Sequence, residues 1–460
     1  MPRLSLSALS CLVLAAAMCV MASCAKTYTH EQATAQVAPD KTSGRAKWSS
    51  PVEDTGQVQD GWLKNFHDPV LDKLVDEAMR QNPNLQAAAS RVEQAEAVTA
   101  QARASLKPTV GLGAQLSQTT RSDWSSRPEG LGVGVSWEAD VWGRMRLGVR
   151  ASEESTEAIK ADYEFARQSL AAAVARAWFL VCETQMQVNF LGEVVKLLER
   201  MSAIVKQREL IGKVSMQDVH QIRAQLASAK AVAAKAEIAR QEAARSLEVL
   251  LGRYPQASIK SVNKLDTNLP PIPVGMPSSM LSRRPDLIAA QDRVAAAFYA
   301  EKGSKLLRLP RFVIQGAGGV SGLGQAIAGL AAGIFAPLYT GGKIEAQMAQ
   351  ATAAQKEAVS AYGAAALNAF KEVENALAND KLLAQREKYL AEADVEDRKA
   401  YELSKIQYDV GKVDMFEVLQ LQSRWTGAEI ALLDLRRQVL DNRVKLHLAL
   451  GGSFETEGNQ

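Results

Sequence analysis

Cysteine is scarce, and the four present exclude two classes of protein at once. Cys11 and Cys19 lie inside an N-terminal apolar run, Cys24 ends it, and Cys182 stands alone in a helical stretch. Neither a disulfide framework nor a metal cluster can be assembled from those positions, and Cys182 reads as a small buried apolar residue. The four histidines, His30, His67, His220 and His447, share no ligand spacing. Charge of one sign is lacking too: a net +3 gives no reason to invoke nucleic acid. No Ser-His-Asp set or carboxylate pair can be singled out. Two glycine clusters fail as nucleotide loops. Gln325 and Ala326 stand where Gly319 to Gly324 would need Lys-Ser/Thr, and Gly342-Lys343 is followed by Ile344 with no glycine five residues earlier. The expectation is a non-enzyme without cofactor or metal.

Helix breakers are also missing over long stretches. The 15 prolines and 30 glycines gather at the start and around 108–148, 252–285 and 303–342. The intervals between them are free to form long helices. What fills them is a repeat. Gly411-Lys412-Val413-Asp414-Met415 restates Gly212-Lys213-Val214-Ser215-Met216, and the same offset of 199 carries Val219 to Val418 and Leu251-Gly252 to Leu450-Gly451. After the second glycine turn, Val418, Leu421, Trp425, Ala428, Leu432, Leu435, Val439, Asn442, Leu446 and Ala449 step by three and four. That is a heptad seam, which calls for partner helices along its length rather than one broad apolar face. Gly212 and Gly411 are the turn glycines of two helical hairpins.

Between the helices the period changes to two. Val110, Leu112, Ala114 and Leu116 alternate with Gly111, Gly113, Gln115 and Ser117. Leu131, Val133, Val135, Trp137 and Ala139 alternate with Gly132, Gly134, Ser136, Glu138 and Asp140, after the polar loop Arg121 to Pro128. A second pair spans about 311–338, with the loop expected at Gly319 to Gln325. Such strands fit a membrane barrel, and equally a half-buried soluble hairpin. Four strands are too few to close a barrel, since small ones begin at about eight, so lipid-exposed edges would need further copies. Three copies give 12 strands.

At the N-terminus, Arg3 precedes an apolar run from Leu4 to Val20, and Met21-Ala22-Ser23-Cys24 closes it. The run reads as an export signal; the alternative is an uncleaved membrane helix. The closing residues resemble the bacterial lipobox, which implies a lipid on Cys24, and Ala25 in place of aspartate implies transfer to the outer membrane. This divides the chain into a signal peptide 1–23, a lipidated tether 24–60, a first repeat 61–252 with a strand pair about 108–141, a Pro-rich linker 253–277, a second repeat 278–452, and a C-terminal tail 453–460.

A family resemblance joins these readings. Trp62-x-x-x-Phe66-x-Asp68-Pro69, Asn82-Pro83-Asn84-Leu85 and Ser282-Arg283-Arg284-Pro285-Asp286-Leu287 resemble the TolC-like outer-membrane components of tripartite efflux pumps, lipoprotein branch. The resemblance runs from about 61 to 452, with Gln291 departing from the usual acid. It implies a mainly α fold with membrane β, in which long coiled-coil helices form a periplasmic α-barrel below a 12-stranded trimeric β-barrel. It also implies a passive exit duct for small toxic compounds, a periplasmic adaptor and an inner-membrane pump as partners, and no nucleic acid. The alternatives are a duct for type I protein secretion and, in another class, a periplasmic coiled-coil scaffold. The family closes its periplasmic tip just after the second glycine turn, which places the apolar position on Phe416 and the acidic ones on Glu417 and Gln420. Gln420 is not acidic. Asp414 and Glu417 also have capping-box spacing, so a purely structural reading stands beside the gate.

Overall fold

The computed structural model describes residues 48–50, 56–115, 130–261, 264–321 and 326–455. Cys24, the signal sequence and the loop 121–128 lie outside them.

The chain enters through a short 3-10 turn, Trp62–Phe66, that buries both aromatic ends. Helix α1 (Pro69–Gln81) starts where Asp68 accepts hydrogen bonds from the Val70 and Leu71 amides, with Pro69 at a position whose missing N–H costs nothing. The second oxygen of Asp68 accepts the Trp178 indole at 2.7 Å, fixing the turn to one of the two longest helices. Asn82 ends α1 and caps α2 (Pro83–Ala104): its oxygen accepts the Leu85 amide while its nitrogen donates to the Leu250 carbonyl. The break expected at Pro83 is therefore also a tertiary contact. Strands β1 (Thr109–Gln115) and β2 (Gly130–Ala139) follow. Next come α3 (Arg144–Leu210) and α4 (Met216–Leu250).

The second half begins with the short α5 (Pro277–Met280) and continues as α6 (Pro285–Lys305), β3 (Arg311–Ser321), β4 (Ala326–Phe335), α7 (Lys343–Asp409) and α8 (Met415–Ala449). Helices α3 and α7 each have 67 residues and α4 and α8 each have 35. At 1.5 Å per residue the longer pair reaches about 100 Å. No described helix is long and apolar enough to cross a membrane.

The core sits where the hairpin bases meet α1 and the 3-10 turn, around Trp62, Leu71, Trp178, Leu247, Leu440 and Val444. Every rung of the seam on α8 is buried or half-buried. The seam is broader than a heptad, however, because Leu433, Leu440 and Val444 are buried as well. The cause is that α8 packs against α3 as well as α7. Gly252 and Gly451, which follow α4 and α8, hold positive φ where a side chain would meet backbone, 2.5 Å from the Gln81 oxygen and 2.9 Å from the Arg283 carbonyl carbon. That explains the repeated Leu-Gly.

Three expectations need correction. Residues 48–50 and 56–60 do not hang free as part of a tether: Trp48 donates to the Gly275 carbonyl, Ser49 and Ser50 bind Glu374, and Val58 is buried. Within the tail, Ser453 bonds Gly61 and Asp60, Phe454 is buried, and Glu455 pairs with Arg167 at 2.5 Å. Strand β3 runs through Gly319 to Ser321, so the first three residues of the expected loop are strand, and β4 ends at Phe335 rather than near 338. At Gln291, which departs from the family's acid, the buried amide nitrogen has no partner among the described residues, in keeping with the doubt that departure raised.

His447 gives the core a pH dependence. Its ring stacks on Trp62 at 5.7 Å, and burial, with Arg443 nearby, pushes its pKa down to about 3. A base whose folded pKa is depressed destabilises the fold as pH falls below its unfolded value near 6.5. Between pH 7 and pH 5 this group alone should remove about 2 kcal/mol. His447→Phe, which keeps the stack, should flatten that slope in denaturant titrations at the two pH values; an unchanged slope would place the acid sensitivity elsewhere.

Candidate functional site

The four strands form one antiparallel sheet in the order β1-β2-β3-β4. Its register sorts residue types by face. One face carries the rows Val110, Val135, Gly316, Leu330; Leu112, Val133, Gly318, Ala328; and Ala114, Leu131, Val320, Ala326. The other carries Thr109, Ser136, Gln315, Ala331 and then Gly111, Gly134, Ala317, Gly329. The first face is apolar throughout and open, with Val110 at 69%, Leu112 at 72% and Leu330 at 83% exposure. In water a surface of this kind would be a liability. Among the described residues, strands β1 and β4 are each paired on one side only. The sheet thus offers an uncovered apolar face and two open edges.

Aromatic and charged groups collect where strands meet helices. The Trp137 indole donates to the Leu106 carbonyl at 3.0 Å and Trp142 to the Pro310 carbonyl at 2.7 Å. Arg144 pairs with Glu138 at 2.7 Å. Asp140 accepts the Met145 and Arg146 amides, so the first turn of α3 is capped from the strand end. Tyr339 and Leu338 lie open on the matching side of the second pair. Amphipathic rings at such a boundary suit a lipid–water interface.

At the far end, about 100 Å away along α3 and α7, the hairpins turn at Gly212 (φ 70) and Gly411 (φ 75). A Cβ at either meets nothing within 4 Å, so the need for glycine is conformational. Met415 and Leu419 pack on Val194, Leu198, Val205 and Ile222 of the first hairpin. Arg208 joins the two tips, pairing with Asp409 at 2.8 Å and lying over the Tyr408 ring.

The tip brings three of the expected residues together. Phe416, Glu417 and Gln420 share the exposed face of α8's first two turns, opposite buried Met415, Val418 and Leu419. Asp414 is the N-cap, accepting the Glu417 amide at 2.9 Å. The reciprocal half of the expected capping box is not formed, and among the described residues the Glu417 carboxylate has no hydrogen-bond or ion-pair partner. The full box appears instead at Ser215 and Asp218 in the first hairpin. Sequence reasoning missed the Arg208–Asp409 bridge, since residues 201 apart leave no periodic trace.

The model of the family described as "Outer membrane efflux protein" matches residues 74–253 and 276–452. The pyoverdine export outer membrane protein OpmQ of Pseudomonas putida is 27% identical over 90% of this chain and 92% of its own length. The toluene efflux pump outer membrane protein TtgC of the same species is 27% identical over 98% and 97%. Among solved structures, the CmeC outer membrane channel of Campylobacter jejuni superposes with a TM-score of 0.82 at 23% identity, over 90% of this chain and 92% of that one. With both long segments matched, the chain belongs to the outer membrane efflux protein family.

Proposed function

We propose that three copies of this chain assemble into the exit duct of a tripartite efflux pump. Each copy, itself a tandem repeat, contributes four strands to a closed 12-stranded barrel in the outer membrane, and its long helices line a second barrel across the periplasm. The observation that carries this is the sheet with one open apolar face and two open edges. Lipid satisfies the face, and only strands of further copies satisfy the edges, because unpaired backbone groups cost several kcal/mol each in hydrocarbon. Twelve strands leave a water-filled lumen lined by the small and polar face.

The duct is passive. A periplasmic adaptor docks on it, and an inner-membrane pump supplies the energy. Its cargo is small toxic compounds. The relatives' names pair one family with cargoes as unlike as pyoverdine and toluene, which fits a conduit without a binding pocket. The tip residues Phe416 and Glu417, with Gln420 and the N-cap Asp414, form its periplasmic gate. A lipid on Cys24 anchors each chain to the outer membrane.

Deletion of the gene should raise susceptibility to a panel of toxic compounds, with restoration by the plasmid-borne gene. Purified protein should conduct in planar bilayers. Unchanged susceptibility together with no conductance would overturn the reading. For the anchor, Cys24→Ser should block processing and leave a larger, mislocalised chain; a variant that matures at normal size and reaches the outer membrane removes the lipid from the account.

A further inference from the structure

A cavity of about 440 Å³ lies where the end of α8 meets the start of α6, between α3 and α7. That volume falls within the roughly 300–1,000 Å³ of small-molecule sites. Arg284 closes one side. Its buried guanidinium donates to the Ala449 carbonyl at 3.1 Å and pairs with Glu372 at 2.8 Å and Asp286 at 2.7 Å, so it is committed to joining the helices.

The cavity opens away from the elements packed around the hairpin bases. On α8, Arg443 donates to the Pro270 carbonyl of the linker and His447 stacks on Trp62. Lys445, which lines the cavity, lies between them in sequence and roughly 160° from each around the helix. On α7, Phe370 packs on Trp48 and Glu374 binds Ser49 and Ser50. Asn379, also in the lining, is turned roughly 140–180° from both. Lys445 follows Glu417 by 28 residues, four heptads, so the coiled-coil period sets it on the same face of α8 as the proposed gate. In the proposed duct the linker and the entry segment lie outside, and the cavity opens into the lumen.

The polar lining is not demanded by the fold. The first half makes the same junction, with Asn82 bonding the Leu250 carbonyl, yet holds Arg176, Leu180, Ala243 and Ser246 at the places of Asn375, Asn379, Asn442 and Lys445. Three amides and an ammonium on one wall therefore need another reason. Asn442 is buried, and its nitrogen donates to the Ala376 carbonyl at 2.9 Å, which leaves its oxygen to accept. Lys445 is exposed and forms no ion pair among the described residues. Phe165 and Leu448, both half-buried, add an apolar patch.

We propose that this bay is a cargo-contact site in the duct wall, one per chain, for compounds that join a flat apolar group to an amide and a carboxylate. This rests on the duct reading and names a class of cargo within it. Lys445 meets the carboxylate, the asparagines meet the amide, and Phe165 and Leu448 take the apolar group. An asparagine side chain offers both donors and acceptor, which suits another amide. Contacts to an exposed charge are weak, so such a compound is held with a Kd on the order of millimolar. A site on a conducting path has to let go as readily as it binds. Conduction needs no such contact, and compounds without these groups pass the bay unheld.

Hippurate carries all three groups in one small molecule, and hippuramide differs from it by the loss of the charge. Saturation-transfer NMR on the full-length protein in detergent micelles, with empty micelles as the blank, should show hippurate bound and hippuramide bound roughly tenfold more weakly. Lys445→Ser and Asn379→Leu, each the residue of the first half, should raise the hippurate Kd roughly tenfold. Lys445→Ser should also bring the two compounds level, which a loosened fold would not do. Lys388→Ser, on the exposed surface of α7, should change neither. Equal binding of the two compounds by the parent, or saturation no greater than in empty micelles, overturns the site, and that comparison needs no variant. Native gels separate the two readings. Trimers that ignore hippurate sink the bay and leave the duct, whereas monomers that bind it sink the duct and the lumenal role together.

Discussion

Val133→Arg should leave the long helices folded and keep the sheet out of the membrane. Val133 lies in the middle of β2, between Leu112 and Gly318 on the apolar face, and is 46% exposed with no polar neighbour in its row. An arginine facing lipid near the bilayer midplane costs about 2–4 kcal/mol. Three copies would carry that cost together, roughly three times over, against a net stability that is small to begin with. Outer-membrane fractions should then hold little of the variant, while its helical circular dichroism stays near the parent's. Ser136→Arg, one turn of the pleat away on the opposite face, should still insert and change conduction only. Single cysteines from 131 to 137 give the same answer by another route, labelling alternately with a membrane-impermeant thiol reagent. Val133→Arg inserting as well as Ser136→Arg would mean that this face does not meet lipid.

Why that face was legible in the sequence, and other features were not, follows from the range of the interactions. Alternation between Leu131 and Ala139 records a single physical fact, that one side of a strand meets apolar surroundings and the other does not, and the register agrees with it residue for residue. The caps at Asp68 and Asn82 are local and carry their own signatures of Asp-Pro and Asn-Pro. The seam on α8 was only half legible, because period shows that a helix has a partner but not that it has two; Leu440 and Val444 meet the first half of the chain. Contacts of the polar entry segment left no trace. Ser50 reaches Glu374 across 324 residues with no apolar period to announce it. The gate residues lie between these cases. Phe416 is an exposed aromatic one residue from a buried methionine, an anomaly for a soluble tip, yet its proposed role came from resemblance and not from pattern.

Glu417→Lys should reverse or abolish cation preference in planar bilayers, and Phe416→Ala should raise conductance. The structural alternative for Glu417 is weakened by geometry, since Asp414 caps the helix through the Glu417 amide, which any residue supplies, and among the described residues the carboxylate is left without a partner. In the proposed trimer three such acids surround a narrow neck. A neck narrower than the Debye length, about 8 Å at physiological salt, is ruled by its own ring charge, and acid rings favour cations. Lysine at 417 faces the positive end of the helix dipole and should cost roughly 0.3–1 kcal/mol. Asp218→Lys is the matched control. It breaks a complete capping box, so it should cost at least as much, about 1 kcal/mol, while selectivity stays put because the proposed gate is built from the second hairpin alone. The two substitutions thus separate the readings in opposite directions: one moves selectivity with little loss of stability, the other moves stability alone. If Glu417→Lys lowers thermal stability as much as Asp218→Lys and leaves ion selectivity where it was, Glu417 serves the helix end and the constriction lies elsewhere on the tip.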